Sequence, residues 1–139
     1  MLENSVAGQM NDDPRRLRAI LARASDMAQA HSVTSVMIGL AAVEGDLIFP
    51  EFADFLQSAL RVEDGIFRMT RERLVVHLAD LDRGRAQDVV DRLIANFCDE
   101  FPATECPAFE ARFFEVKPGS ADLRVRDVLT EIFSARTLH

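Results

Sequence analysis

The chain alternates between stretches whose apolar residues recur at helical spacing and stretches that are apolar throughout or every second residue. Leu17, Ile20, Leu21, Ala24, Met27 and Ala28 fall on one stripe of a helix. Asp13-Pro14 just before them offers a capping carboxylate and a proline suited to the first helical position, so a helix is predicted from residue 14 to about residue 30. Residues 32–42 (SVTSVMIGLAA) are β-branched and apolar, as in a buried strand. A turn at Glu44-Gly45-Asp46 leads to a helix over 51–60, opened by Pro50, with Phe52, Phe55, Leu56 and Leu60 on one face. Asp64-Gly65 makes a turn, and the apolar runs 66–70 and 73–79 lie close enough together to form a hairpin. A polar loop over 80–84, with an N-cap at Asp82, precedes a helix over 86–97 that carries Val89, Val90, Leu93, Ile94 and Phe97 on one side. An irregular stretch over 98–107 contains two prolines. The alternating segment 109–116 (FEARFFEV) is a strand, 118–120 a turn, and 123–135 a last helix with Val125, Val128, Leu129, Ile132 and Phe133.

After the first helix the order is β-α-β-β-α-β, the ferredoxin-like arrangement. The expected fold is therefore α+β, with helices on one face of an antiparallel sheet and an extra N-terminal helix. Residues 1–12 are expected to form a flexible tail and residues 13–139 a single domain, which suits a length of 139. This fold hosts many functions and names none.

Charge narrows the choice of partner. The net charge is -7, a poor match to nucleic acid, which needs a basic face. Residues 1–60 carry 4 basic and 8 acidic side chains, residues 93–139 carry 5 and 8, and residues 61–92 carry 7 of each. The centre is thus the place for a small anion. Of the 16 basic residues, 15 are Arg, whose planar fork suits guanine edges and phosphates. The first 13 residues have no export signal, and the longest apolar run, 36–43, is far too short to span a membrane, so a cytoplasmic protein is expected. Cys98 and Cys106 fit no zinc or redox motif and are expected to be reduced. His31, His77 and His139 are far apart. His77, inside an apolar run, is expected to be a half-buried strand residue rather than a metal ligand. No cofactor and no metal are expected.

The hairpin carries a resemblance. Asp64-Gly65-Ile66-Phe67-Arg68-Met69-Thr70-Arg71-Glu72-Arg73-Leu74, followed by Val75-Val76-His77-Leu78, resembles the GGDEF domain of bacterial diguanylate cyclases, which reads D-x-V-A-R-x-G-G-D-E-F and then an apolar strand. Gly45-Asp46 before a Phe/Leu-rich helix is similar to the family's G-D-x-x-L. Val89-Val90-Asp91-Arg92-Leu93 is similar to its A-E-R-I, and Phe133-Ser134-Ala135-Arg136 to its terminal Y-x-A-K. The order and spacing of these pieces extend the resemblance over residues 13–136. It implies a nucleotidyl cyclase palm.

The departures imply a domain without cyclase activity. Active members carry metal-binding Asp residues on the first strand; here that strand reads Met37-Ile38-Gly39-Leu40-Ala41-Ala42. Phosphoryl transfer rests on positioning and metal charge neutralisation. The segment that grips substrate guanine is missing, because Gly45-Asp46 follows almost at once. Thr70 and Arg71 replace glycines that let the turn approach phosphates, and Glu72 alone stands where the signature acids sit.

A second family site is retained in pattern. Many diguanylate cyclases have a product-inhibition site, R-x-x-D five residues before the signature, that binds cyclic di-GMP. Arg61-Val62-Glu63-Asp64 stands at that spacing, and Arg92 aligns with a further family Arg. Arg donors suit guanine O6 and N7 or a phosphate, and a carboxylate suits the guanine N1–H and N2–H₂ edge. The resemblance thus implies a cyclic di-GMP receptor or adaptor with Arg61, Asp64 and Arg92 as ligand-binding residues, working with a protein partner or a second copy in bacterial signalling. The plainer alternatives are that Asp64 is a turn residue, that Arg61 answers a helix dipole, and that Arg92 pairs with Asp88. On those terms the domain is a ligand-free scaffold for protein–protein interaction.

Overall fold

The computed structural model describes residues 12–119 and 123–133. Residues 1–11 of the predicted tail, the predicted end of the last helix past Phe133, and the Ser134-Ala135-Arg136 part of the terminal match lie outside the described residues; Asp12, the last residue of the predicted tail, is not loose but is hydrogen-bonded to Arg68.

The first helix, α1 (Pro14–His31), starts as its sequence dictates: the Asp13 carboxylate accepts the N–H of Arg15, and Ser32 ends the helix in a left-handed conformation. Strand β1 (Ser35–Ala41) follows. Helix α2 (Phe49–Ala59) begins two residues before the predicted start. The reason is Asp46, whose carboxylate accepts from the N–H groups of Ile48 and Phe49 at 2.7 and 2.9 Å and so caps the helix upstream of Pro50. The hairpin is β2 (Gly65–Arg68) and β3 (Arg73–Ala79). Helix α3 (Arg83–Glu100) opens on the Asp82 N-cap and continues three residues past the predicted end. Strand β4 (Glu110–Val116) and helix α4 (Val125–Ile132), which begins two residues after its predicted start, complete the elements among the described residues.

The four strands form one sheet in the order β2-β3-β1-β4, every neighbouring pair antiparallel. This is the ferredoxin-like topology expected from the element order. The layering differs from the expectation. Helices cover both faces, because β1 and β3 are apolar on both sides. Val36, Ile38, Leu40, Leu74, Val76 and Leu78 face α2 and α3, where Phe49, Phe52, Leu56, Val90 and Phe97 meet them. Met37, Val75, Phe67 and Val116 face the other way, under Leu17, Leu21, Ala24 and Ala28 of α1 and Val128 and Ile132 of α4. Two strands with no polar face need two covers.

The outer edge of β2 is closed by the chain itself: Asp12 N–H donates to the Arg68 carbonyl, the Asp12 carboxylate accepts from Arg68 N–H, and Arg16 Nε donates to the Ile66 carbonyl. His77 is fully buried, not half-buried as expected; it lies on the α1 side of β3. The cysteines are also not the reduced pair expected of an acidic chain read without an export signal. The end of α3 and the reversal at Phe101–Thr104 bring their Cα atoms to 5.4 Å, and the sulfurs are bonded as a Cys98–Cys106 disulfide. A motif search along the sequence misses such a pair because the reversal, not the spacing, creates it.

Candidate functional site

Helix α2 ends at Ala59 with Leu60 as its C-cap, and the turn 61–64 closes with Asp64 N–H donating to the Arg61 carbonyl. That turn sets Arg61 and Asp64 on the same side. Arg61 Nε and Nη2 donate to the two Asp64 oxygens at 3.1 and 3.0 Å, and Asp64 Oδ2 also takes the Arg61 backbone N–H. The end of β3 joins the pair: Ala79 N–H donates to Asp64 Oδ1 at 3.0 Å, and Arg61 Nη2 donates to the Ala79 carbonyl at 2.7 Å. The Asp64 side chain is only 3% exposed, whereas Arg61 is 48% exposed with Nη1 3.4 Å from Glu63. Asp64 beside the guanidinium holds the Arg61 pKa above its ordinary value.

Helix α3 runs past this turn with Val89, Arg92, Leu93 and Asn96 on the facing stripe. They line, with Ala59, Leu60, Leu81, Arg61 and Asp64, a cavity of about 360 Å³. All three residues singled out in the sequence therefore meet at one cavity. Its volume falls within the range of roughly 300–1,000 Å³ common to small-molecule sites. Leu60, Leu81, Val89 and Leu93 give an apolar wall fit for a flat ring. Arg92 does not pair with Asp88; it makes no hydrogen bond or ion pair among the described residues. Asn96 was missed from sequence. The available signal was its place one turn after Arg92 on the same stripe.

The region matching the cyclase signature is arranged differently. Glu72 closes on the neighbouring turn: its carbonyl accepts from Ala42 N–H and its carboxylate from Gly45 N–H at 3.2 Å. The end of β1 carries no carboxylate, and its Gly39 lies directly under Ile132 of α4. No group of three or more His, Cys, Asp or Glu suited to a metal ion occurs among the described residues. Asp82 is occupied as the α3 cap, accepting from Arg85 N–H. Arg83 lies over the Phe113 ring, 5.5 Å from its centroid, and lines a different cavity. No helix among the described residues is long and apolar enough to cross a membrane.

No protein-family model matches the chain, and no curated protein matches it. Solved structures do. PelD from Pseudomonas aeruginosa PA14 in its apo form superposes with a TM-score of 0.67 at 19% identity, over 91% of this chain and 46% of that one. The same protein in complex with c-di-GMP gives 0.66 at 18% identity, over 90% and 46%. The GGDEF domain of FimX from Pseudomonas aeruginosa gives 0.62 at 11% identity, over 84% of this chain and 81% of that one. The chain spans less than half the length of the PelD chains it matches. At these identities the likeness establishes architecture, and the architecture is a GGDEF-like α+β palm.

Proposed function

We propose that the chain is a degenerate GGDEF-like domain without cyclase activity that serves as a cytoplasmic receptor or adaptor for cyclic di-GMP in bacterial signalling. The observation that carries this reading is the meeting of Arg61, Asp64 and Arg92 at one cavity. A neighbour of the same fold, PelD, has a structure in complex with c-di-GMP, which supports the class of ligand.

The chemistry suits a dianionic guanine nucleotide. Arg92 is an unpaired cation at the cavity and meets a phosphate. Arg61 supplies a second fork for guanine O6 and N7 or for the other phosphate. In the free protein both Asp64 oxygens are filled by Arg61 and by backbone N–H groups. Guanine N1–H and N2–H₂ reach Asp64 only when Arg61 swings from the carboxylate to the ligand. The exchange replaces one charge-assisted contact by others, and the Ala79 N–H keeps the Asp64 carboxylate in place meanwhile. The bound complex then recruits a protein partner or a second copy. Loss of cyclase activity follows from the apolar first strand, which offers no carboxylate to a metal–nucleotide substrate.

Calorimetric titration with cyclic di-GMP, beside Arg61→Ala and Arg92→Ala, tests the reading. Binding that disappears in both variants, with their folds retained, is the expected result. Undiminished binding in Arg61→Ala overturns the site. No binding to the wild type leaves a ligand-free interaction scaffold, and turnover of GTP with Mg²⁺ overturns the inactive assignment.

A further inference from the structure

The two edges of the sheet are treated unequally. Edge strand β2 is four residues long and is closed by Asp12 and Arg16. Edge strand β4 is seven residues long, EARFFEV, with no Pro, Gly or Lys to blunt it.

The ladder fixes which β4 groups are free. Arg73 carbonyl accepts from Met69 and Thr70, and Ala79 N–H and C=O serve the 61–64 turn, so odd-numbered residues of β3 point their backbone groups outward to β2. Even-numbered residues of β3 then bond to Val36, Ile38 and Leu40. Ser35, Met37, Gly39 and Ala41 must face β4, where their partners are Val116, Phe114, Arg112 and Glu110. The N–H and C=O groups of Ala111, Phe113 and Glu115 therefore point away from the sheet. None has a hydrogen-bond partner among the described residues. A groove of about 420 Å³ lies at this edge, along residues 110–113, walled by Arg83 on one side and Glu131 on the other.

We propose that the β4 edge is a self-association surface, and that its occupant is β4 of a second copy, added antiparallel about a two-fold axis. Charge selects the register. Outward groups must meet outward groups, so the axis passes through a residue rather than between two; at Glu110 it leaves Arg112 opposite Ala108, and at Phe114 opposite Val116. An axis at Arg112 sets that guanidinium against its own copy. An axis at Phe113 pairs Arg112 with Phe114 and leaves Glu110 opposite Val116. Only the axis at Ala111 sets Glu110 opposite Arg112 twice and Phe113 opposite Phe109 twice, which are favourable cross-strand pairs. Glu110, Arg112 and Phe113 line the groove, and Phe109 lies just before β4 with its ring against Phe49 and Phe52. The contact is isologous and closes as a dimer. It involves neither the Arg61 cavity nor its ligand.

Sedimentation velocity over a concentration series of the ligand-free chain tests this. The wild type shifts from monomer to dimer as concentration rises. Ala111→Pro removes an N–H that the internal ladder does not use, so it keeps the circular dichroism spectrum and stays monomeric. Glu110→Arg and Arg112→Glu each set like charges together and abolish the dimer, while the double exchange restores it. A wild type that stays monomeric throughout, a dimer that persists in Ala111→Pro, or a double exchange that fails to restore association each overturns the proposal. An edge covered by another segment of the chain, or by a different protein, shows itself as the first of these outcomes.

Discussion

Arg61 and Asp64 form a two-point ion pair, Nε and Nη2 at 3.1 and 3.0 Å from the two carboxylate oxygens, and the end of β3 clasps both through Ala79. The candidate ligand site is thus also a staple between the α2–β2 turn and the sheet. The two roles separate by variant. Asp64→Ala removes the acceptor of four N–H groups from a position that is 3% exposed, with an expected loss of about 2–3 kcal/mol in urea unfolding. Arg61→Ala removes a half-exposed partner and is expected to cost about 1 kcal/mol, while abolishing the proposed cyclic di-GMP binding. Equal costs for the two would mean that Asp64 is not the anchor.

Gly39 sets the height of α4 over the sheet. A Cβ there would lie 2.6 Å from the Ile132 carbonyl oxygen and 2.8 Å from Ile132 Cβ. The obstacle includes helix backbone, which a rotamer change cannot move. Gly39→Ala is expected to cost about 1–3 kcal/mol through overpacking. Limited proteolysis should then cut near α4 before other sites. A variant as stable as the wild type would show that α4 slides without cost.

The elements of this chain were legible because local signals agreed with the fold. Asp13-Pro14 marks a helix start that the structure keeps, Asp82 is the N-cap expected although its helix begins at Arg83 rather than at 86, and β3 has its predicted bounds. The start of α2 was obscured because Asp46 caps at a distance that a proline rule does not see. The second helical layer was hidden in plain composition: an apolar run such as Val36–Leu40 buries both faces, but its sequence does not name what covers each. In the candidate site, Arg61, Asp64 and Arg92 were singled out by the resemblance to the cyclase family. Their meeting at one cavity depends on how α3 crosses the 61–64 turn, which no spacing encodes. The disulfide and the free β4 edge belong to the same class, since both depend on chain reversals and sheet order.

His77 should make stability depend on pH. Burial is the main cause that holds its pKa at about 4, down from 6.5, with Arg23 adding to the effect and Asp64 opposing it. Its Nε2 has no hydrogen-bond partner among the described residues, nor has the hydroxyl of Ser35 on the same sheet face. Between pH 6.5 and about 4 the unfolded chain binds the His77 proton and the native state does not. Stability therefore rises with pH across that window; the contribution is complete above it and lost below it. At about 1.4 kcal/mol per pH unit the loss on acidification is roughly 3 kcal/mol. The difference between wild type and His77→Gln, followed by urea unfolding at pH 7 and pH 5, should carry this slope. Parallel curves would mean that the imidazole charges without leaving the core.

The Cys98–Cys106 bond closes a short loop, with a sequence separation of 8, between the end of α3 and the approach to β4. Beside it Phe97, Phe101, Phe55 and Phe52 pack ring against ring, so a loosened loop exposes aromatic surface. Restricting a loop of this size in the unfolded chain contributes about 2.5 kcal/mol. For a domain of this length that corresponds to a fall in melting temperature of about 10 °C on reduction. The unfolded chain should show no reactive thiol before reduction and two afterwards, and Cys98→Ser should melt like the reduced protein whatever reductant is present. Two free thiols in the untreated protein, with no response of the melting temperature to reductant, would restore the reduced pair first expected. The α3–β4 connection would then be held by the phenylalanine cluster alone, and Phe101→Ala would become the substitution that loosens it.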